Sequence, residues 1–398
     1  MGEREQAIHN LVRQYAEADP FNQEIKGLPL AAVSFGSEEI EEAIDSLLSG
    51  WITMGKKVRI FEEAWADYIG VEHAIAVNSG SSALLVMLTA MVECGYLEPE
   101  QEVVLPAVGW STSLFSVAQA GLTPVLVDVD LDTISLKGEF KRPVLAIHLL
   151  GAAAQVRAPM LMEDACGAHG GLIGDQKLGS LGVCGAFSFF FSHHITTGEG
   201  GMITTSDPLL ADACRSVRAH GWIRERSDRD EWISDNPQID SRFLFATQGY
   251  NVRMTDVAAA MGMHQVNRIE DFVKRRRQNH STWCKWVQAE QLPLRVFPEV
   301  PNTRHAAFAF PILLNEDSPV SRPELCALLE GDGIQTRPIS GSHLAKQPAF
   351  MKLKRGHQEG ETPNADAIHE RGFFVGQSHA FGDQQGELLV ERLKAHLQ

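Results

Sequence analysis

From His73 onward the chain alternates short apolar runs with stretches of helical period, and that alternation sets the fold class. HAIAVN (His73–Asn78) has the pattern of a buried strand, the glycine turn SGSS follows, and ALLVMLTAMVECG reads as a helix. EVVLP, TPVLVDVD, PVLAIHLLG and APMLMEDACG read as further strands, with SLFSVAQAG a helix between the first two, and GAFSFFF and GGMITTSD complete the set. Parallel strands need crossovers of about a dozen residues or more, which land as helices on the sheet faces, so the pattern predicts a mostly parallel sheet covered on both sides. Upstream, SEEIEEAIDSLLSG predicts a helix with Ser37 as N-cap, acids in its first turn and Gly50 at its end. Beyond Gly249 the period changes to one helical region from Asp256 to about Gln288, a strand in HAAFAFPILL, and a helix opened by the Ser321/Glu324 capping box and stopped by glycine. The expected division is an N-terminal helix and arm (1–29), a large α/β domain (30–268) and a smaller α+β C-terminal domain (269–398).

Charge and cysteine usage exclude several functions. A net charge of −16 argues against a nucleic-acid surface, which needs basic patches. The one basic cluster, KRRR (Lys274–Arg277), lies in helical period and reads as a solvated face. No apolar run approaches the roughly 20 residues of a membrane span, and the charged, helix-patterned start (Ala7, Ile8, Leu11, Val12, Tyr15) is unlike a signal peptide, so a cytoplasmic enzyme is expected. Cys94, Cys166, Cys184, Cys214, Cys284 and Cys326 are scattered, which predicts reduced thiols and neither a zinc site nor an iron–sulfur cluster. His148, His169 and His343 lack metal-ligand spacing, so no metal is expected.

Four pieces of the α/β region carry chemistry together. VNSGSSA places Gly80 and Ser81 at a strand-to-helix turn, either an ordinary tight turn or an anion site made by helix N-terminal N–H groups. LMEDACGAHG puts Asp164 at a strand's C-terminal end, where open α/β sheets hold ligands; a carboxylate buried there needs a cationic partner such as a protonated pyridine nitrogen, or it is structural. Trp110 in PAVGWSTS is either core or a stacking partner for a flat ring. Ser188, at the end of another strand, offers a second phosphate contact. Anion cradle, carboxylate and aromatic lid describe a pyridoxal-phosphate (PLP) pocket.

Seven ordered motifs carry a family resemblance: WITMGKKVRIFEEAWADYIG, VNSGSSAL, EDACGAHG, SFFFSHHITTGEGG, RAHGWIR, GYNVRMTDVAAAMG and TRPI with HLAKQPAF. From about Trp51 to Pro348 the chain resembles the sugar aminotransferases, fold-type-I vitamin B6 enzymes that build amino and deoxy sugars on nucleotide carriers. In that family the fifth residue after the phosphate-binding serine is the lysine that grips the coenzyme covalently; here, counting from Ser188, it is His193. The histidine pair most resembles the GDP-4-keto-6-deoxymannose 3-dehydratase branch. The resemblance implies Gly80, Ser81 and Ser188 at the phosphate, Asp164 at the pyridine nitrogen, Trp110 stacked on the ring and His193 as catalytic base. It further implies His220 and Arg224 at the sugar, with Arg337 at the sugar or a glutamate carboxylate, and Asn251 and Arg253 reaching a neighbouring subunit's pocket in a homodimer. His194 either orients the turn or contacts substrate. Where dehydratases of the family carry an acidic residue three after the aspartate, this chain has Gly167.

An imidazole cannot form the lysine's covalent link, so the coenzyme is expected to rest as pyridoxamine phosphate, with His193 shuttling protons near neutral pH. The expected reaction removes the C3 hydroxyl of a nucleotide-linked 4-keto-6-deoxysugar, in deoxysugar and O-antigen biosynthesis, with L-glutamate restoring the amine. The absence of clustered cysteines points to the branch that uses no iron–sulfur reductase. A nucleotide-sugar 4-aminotransferase and a catalytically silent PLP-binding homologue remain as alternatives, and GDP, CDP and dTDP as carriers stay open. Lys177, in the loop before the serine strand, is not expected to replace the missing lysine.

Overall fold

The computed structural model describes residues 2–18 and 25–398; the first part of the Phe21–Gly36 linker lies outside them. Seven strands of the α/β region align in one sheet: β1 (His73–Val77), β2 (Glu102–Pro106), β3 (Thr123–Val127), β4 (Val144–Ile147), β5 (Leu161–Asp164), β6 (Cys184–Ser188) and β7 (Gly201–Thr205). Their order is β1-β7-β6-β5-β4-β2-β3, and His357–Gln358 adds an eighth strand at the β3 edge among the described residues. Only β7 runs against the rest: it pairs antiparallel with both β1 and β6, while β6–β5, β5–β4, β4–β2 and β2–β3 are parallel.

The strands are buried along nearly their whole length, which explains why they read as continuous apolar runs and not as alternation. One face is covered by the helices Gly80–Glu93, Ser111–Gln119 and Pro208–Val217, whose Val86, Met87, Leu114 and Val117 join Ile75, Leu105 and Ile203 in a core cluster. Phe61, Trp65, Phe187 and Phe189 fill a second cluster, with Trp65 edge-on to both phenyl rings. Burying such a side chain contributes about 1.5–3 kcal/mol, so the sheet's position is set by dozens of these contributions.

The C-terminal third builds a four-stranded sheet ordered Leu294–Val296, Ala309–Leu314, Gly372–Gly376, Thr336–Pro338, all antiparallel. It packs with Trp283 of the Ile269–Ala289 helix and Leu389 and Leu393 of the Asp383–Leu397 helix. The Ser321 capping box forms as expected, its hydroxyl accepting from the Glu324 N–H while the Glu324 carboxylate accepts from the Ser321 N–H at 2.9 Å.

Two expectations change. Ser37 is the first residue of its helix and Gly36 the N-cap, because the Glu39 carboxylate reaches back to the Gly36 N–H at 2.7 Å. The single region from Asp256 divides into helices Asp256–Val266 and Ile269–Ala289. The first helix, Glu3–Ala18, forms, but it docks through His9 and Arg13 onto Asp45 and Glu41, leaving Leu11 and Tyr15 exposed. No described helix is long and apolar enough to cross a membrane.

Candidate active site

Strands β1, β2, β4, β5 and β6 point the same way, so their C-terminal ends open onto one edge of the sheet, and the predicted residues fall there. β1 runs into Asn78–Ser79 and then the Gly80–Glu93 helix. The Ser79 hydroxyl accepts from the Ser82 N–H at 3.1 Å, and the Ser82 hydroxyl donates to Asn78 Oδ1 at 2.6 Å, so the turn is tied on both sides. A Cβ on Gly80 would lie 2.5 Å from Ser188 Cβ and 3.0 Å from Cys166 Sγ, so only glycine lets β1, β5 and β6 converge here. Gly80 and Ser188 are buried and Ser81 is exposed on the first turn, leaving helix N–H groups beside a serine hydroxyl, the arrangement that suits a phosphate.

Asp164 ends β5 with 5% of its surface exposed. Its Oδ2 accepts from the Ser113 hydroxyl at 2.5 Å and its Oδ1 from the Cys166 N–H at 3.1 Å. Among the described residues, no lysine, arginine or histidine forms an ion pair with it. A carboxylate this buried with two neutral donors and no cation is costly, and a protonated ring nitrogen would answer it. Ser113 was missed in the sequence, although it stands three residues past Trp110 in the same motif. Trp110 itself precedes the Ser111–Gln119 helix and is 58% exposed, so its indole is open to a ligand.

Past β6 the chain turns at Phe190–His193, closed by the His193 N–H donating to the Phe190 carbonyl at 3.0 Å. The imidazole of His193 lies 5.0 Å from the Phe308 ring and 6.0 Å from His169, and its Nδ1 has no hydrogen-bond partner. Burial pushes its pKa down to about 4, with the Arg276 cation lowering it further, so the ring is neutral at pH 7. His194 is fully buried and its Nε2 bonds the Ala306 carbonyl at 2.7 Å. Of its two readings the geometry favours orientation of the turn over contact with substrate: it ties the turn to the 306–308 segment and presents no surface.

That segment is held from every side. The Ala306 N–H donates to the Gly151 carbonyl at 2.8 Å and the Phe308 N–H to the Leu150 carbonyl at 3.1 Å. The Ala307 N–H donates to His305 Nδ1 at 2.8 Å. Ala307 takes a left-handed φ of 50° and Leu150 opposite it 52°, strain that only such a clamp sustains. Arg276 closes it, donating to the Gln377, Phe308 and Ala307 carbonyls at 2.6, 3.2 and 3.4 Å. Arg276 is 1% exposed, which corrects the reading of KRRR as wholly solvated: Lys274 and Arg275 face solvent, Arg277 pairs with Glu299, and Arg276 turns inward. The signal was its spacing from Val273, His280 and Trp283, the buried stripe of the same helix. Gly167 faces Phe308, whose Cγ would lie 3.7 Å from an added Cβ, so the phenyl ring occupies the side to which a side chain here would point.

The remaining candidates are dispersed. His220 has φ of 64° and is followed by Gly221, where a Cβ would meet the Thr247 carbonyl oxygen at 1.7 Å. Arg224 is exposed over the Trp222 ring. Asn251 is exposed and bridges Ala219, while Arg253 bridges Val77 at the end of β1. Arg337 is exposed on the edge strand of the small sheet and donates to the carbonyl of the adjacent Thr336 at 2.7 Å. Lys177 donates to the Tyr68 carbonyl and lies over the Tyr68 ring at 4.1 Å, engaged away from the pocket.

The model of the DegT/DnrJ/EryC1/StrS aminotransferase family matches residues 34–394. The chain belongs to that family. It is 31% identical to the GDP-4-keto-6-deoxy-D-mannose 3-dehydratase of Yersinia pseudotuberculosis, over 92% of this chain and 98% of that one. It is 33% identical to the GDP-perosamine synthase of Caulobacter vibrioides over 78% of this chain and 84% of that one. A solved structure of the E. coli GDP-4-keto-6-deoxy-D-mannose 3-dehydratase with bound hydrated PLP matches with a TM-score of 0.83 at 28% identity, covering 94% of this chain and 100% of that one. The fold is that of the fold-type-I PLP aminotransferases, and DegT/DnrJ/EryC1/StrS enzymes depend on PLP.

Proposed function

We propose that this DegT/DnrJ/EryC1/StrS enzyme is a pyridoxamine-phosphate-dependent 3-dehydratase of nucleotide-linked 4-keto-6-deoxysugars. The observation that carries the reading is His193: an imidazole with an unpartnered nitrogen in the place of the family's lysine, in a pocket whose carboxylate lacks a cation. The uncharged Asn, Gly and Ser turn at 78–82, the Ser188 hydroxyl and the Ser113–Asp164 pair fit the coenzyme's phosphate and ring nitrogen. When bound, the coenzyme supplies an amine for the C4 ketone and an electron sink for the bond broken at C3.

The chain's own groups then have separate tasks. Gly80, Ser81 and Ser188 bind the phosphate, and Asp164, fixed by Ser113, keeps the ring nitrogen protonated. Burial holds His193 neutral at pH 7, which leaves its imidazole ready to take a proton and, once charged, to give it to the departing hydroxyl. His220 and Arg224 line the sugar side, Trp110 covers the ring, and a homodimer completes the site through Asn251. Overall, a C3–OH becomes C3–H, while glutamate becomes 2-oxoglutarate plus ammonia, and the atoms balance without further reductant. A cytoplasmic enzyme making 3,6-dideoxysugars for surface polysaccharide accords with this chemistry.

The test is incubation with PLP, L-glutamate and GDP-4-keto-6-deoxymannose, followed by product mass. Ammonia, 2-oxoglutarate and a sugar lighter by one oxygen are expected; accumulation of a 4-amino sugar sinks the reading. The similarity to GDP-perosamine synthase favours that amination as the second reading.

A further inference from the structure

Two members of the KRRR run, Lys274 and Arg277, line a cavity of about 570 Å³ that the reaction at C3 does not use. Lys285 of the same helix lines it too. Lys274 and Lys285 are exposed, and among the described residues neither forms an ion pair with a carboxylate. Glu299 is the one acid of the lining, and Arg277 neutralises it through a fork at 2.9 and 2.8 Å. Glu299 spends its remaining acceptor capacity on the His305 N–H at 2.8 Å. A chain of charge −16 therefore sets three cations against one carboxylate around this cavity.

Two stacked imidazoles, His280 and His305, belong to the same lining, with centroids 4.6 Å apart and planes 23° apart. They are 2% and 5% exposed. Burial lowers the pKa of His280 to about 4 and that of His305 well below its usual range, so both rings are neutral at pH 7 with one proton each. Geometry fixes where each proton is. His305 Nδ1 accepts the Ala307 N–H at 2.8 Å, which puts its proton on Nε2. The Cys284 thiol, pushed up to about 12 by burial, keeps its proton and donates to His280 Nδ1 at 3.8 Å, so that ring is protonated on Nε2 as well. Both Nε2 atoms are buried and neither has a partner. Buried donors without an acceptor are costly and uncommon, and here two of them stand together. Among the described residues no group of three or more ligands could hold a metal, and an N–H offers a cation no lone pair. What the pair lacks is an acceptor, and the surplus of positive charge in the lining selects a dianion, the charge a phosphate group approaches at pH 7.

We propose that this cavity binds a phosphate group, its oxygens accepting the Nε2–H of His280 and of His305 while Lys274, Arg277 and Lys285 balance its charge. Both nitrogens are closed to bulk water, so side chains of the lining shift as the anion enters. None of the residues proposed to hold the coenzyme lines the cavity, so the inference does not rest on the reaction at C3. The PLP-loaded, full-length protein, with the coenzyme's own phosphate filling the turn at 78–82, is titrated by calorimetry near neutral pH. Inorganic phosphate and glycerol 3-phosphate are used separately, and the tighter of the two tells a free anion from a phosphate ester. His280→Phe keeps a stacked ring but removes the N–H, and is expected to weaken binding by about tenfold or more. Lys274→Gln/Lys285→Gln changes two exposed positions and should weaken it by about fivefold, with a shallower salt dependence. The lysine variant decides the matter if the ring variant fails to fold. Crystals soaked in selenate should carry its anomalous signal beside the two imidazoles. Equal affinity in wild type and both variants, the mark of an adventitious ion only, overturns the site, and so does selenate confined to other places. Zinc bound in place of phosphate and lost in His280→Phe would overturn the anion as its occupant.

Discussion

Two regions of the molecule hold histidines or arginines against aromatic rings, and they do so in opposite ways. Around His193 nearly everything is internal: His169, His194 and Arg276 are at most 1% exposed, and the hydrogen bonds of His194 and Arg276 end on main-chain carbonyls. Around Trp222 the rings and guanidinium groups face outward, with no carboxylate claiming Arg224 or Arg253 among the described residues. The first region shields its histidines and Arg276 from water; the second keeps its rings and cations accessible. On the proposed function a proton carrier needs one defined environment, and the burial around His193 supplies it.

The largest effect should separate the two completely. His193→Ala is expected to lower C3 deoxygenation by about 10²- to 10⁴-fold, the span of a lost general acid–base, while GDP affinity stays within twofold or about that. Steady-state turnover and calorimetry on one preparation check it, and a parallel collapse of GDP binding would dissolve the distinction. His193→Lys should in addition produce new visible absorbance from a covalent coenzyme link. Next in size, Asp164→Asn removes the charge that the proposed function sets against the ring nitrogen. Hydrogen bonds to charged groups contribute about 1.5–3 kcal/mol, so coenzyme retention on dialysis should fall by about tenfold to a hundredfold. Again GDP binding should not follow.

The outer region was the harder to read from the chain. Strands, the phosphate turn, Asp164 and Ser188 were legible because strand–turn–helix chemistry is local: an apolar run, a glycine, a small hydroxyl. His193 was legible because it is defined by its distance along the chain from Ser188. Arg276 and Phe308 were not, since their roles come from carbonyls and rings brought in by other elements. The clamp at 306–308 joins β4's exit, the turn after β6 and the long helix, contacts more than a hundred positions apart such as His194 with Ala306. Composition marked Arg276 as polar and exposed; only the helical stripe through Val273 and Trp283 argued otherwise. Trp222 and its rings were hidden for the same reason, because nothing in FLF announces that it will fold back onto GWI.

Acid should act through the buried histidines, His193 of the inner region among them. His193 and His280 each have pKa values lowered by burial to about 4, against about 6.5 in an unfolded chain. Between those values the unfolded state binds protons that the folded state refuses, so stability falls as pH drops from about 6.5 towards about 4 and is fully present above it. Each histidine costs up to about 1.4 kcal/mol per pH unit across that window. Urea midpoints at pH 7 and pH 5 should therefore differ by about 2 kcal/mol less in His193→Gln than in wild type. The same loss in both would mean that His193 is protonated in the folded protein.

The smallest effect concerns how the inner region is held. Arg276 donates from its Nη1 to three carbonyls at 2.6, 3.2 and 3.4 Å, and a lysine in its place keeps a charge but not the planar guanidinium that sets this nitrogen among them. Arg276→Lys should cost about 1–2 kcal/mol, one or two buried acceptors left short of a donor. Because Phe308 packs against His193 at 5.0 Å, loosening its carbonyl should tilt the imidazole without touching the substrate's nucleotide. Turnover is then expected to fall by about threefold to tenfold with KM nearly constant, since orientation enters the transition state more than the bound ground state. A rise in KM with unchanged turnover would instead connect Arg276 to the outer face, and the two regions would no longer be separable.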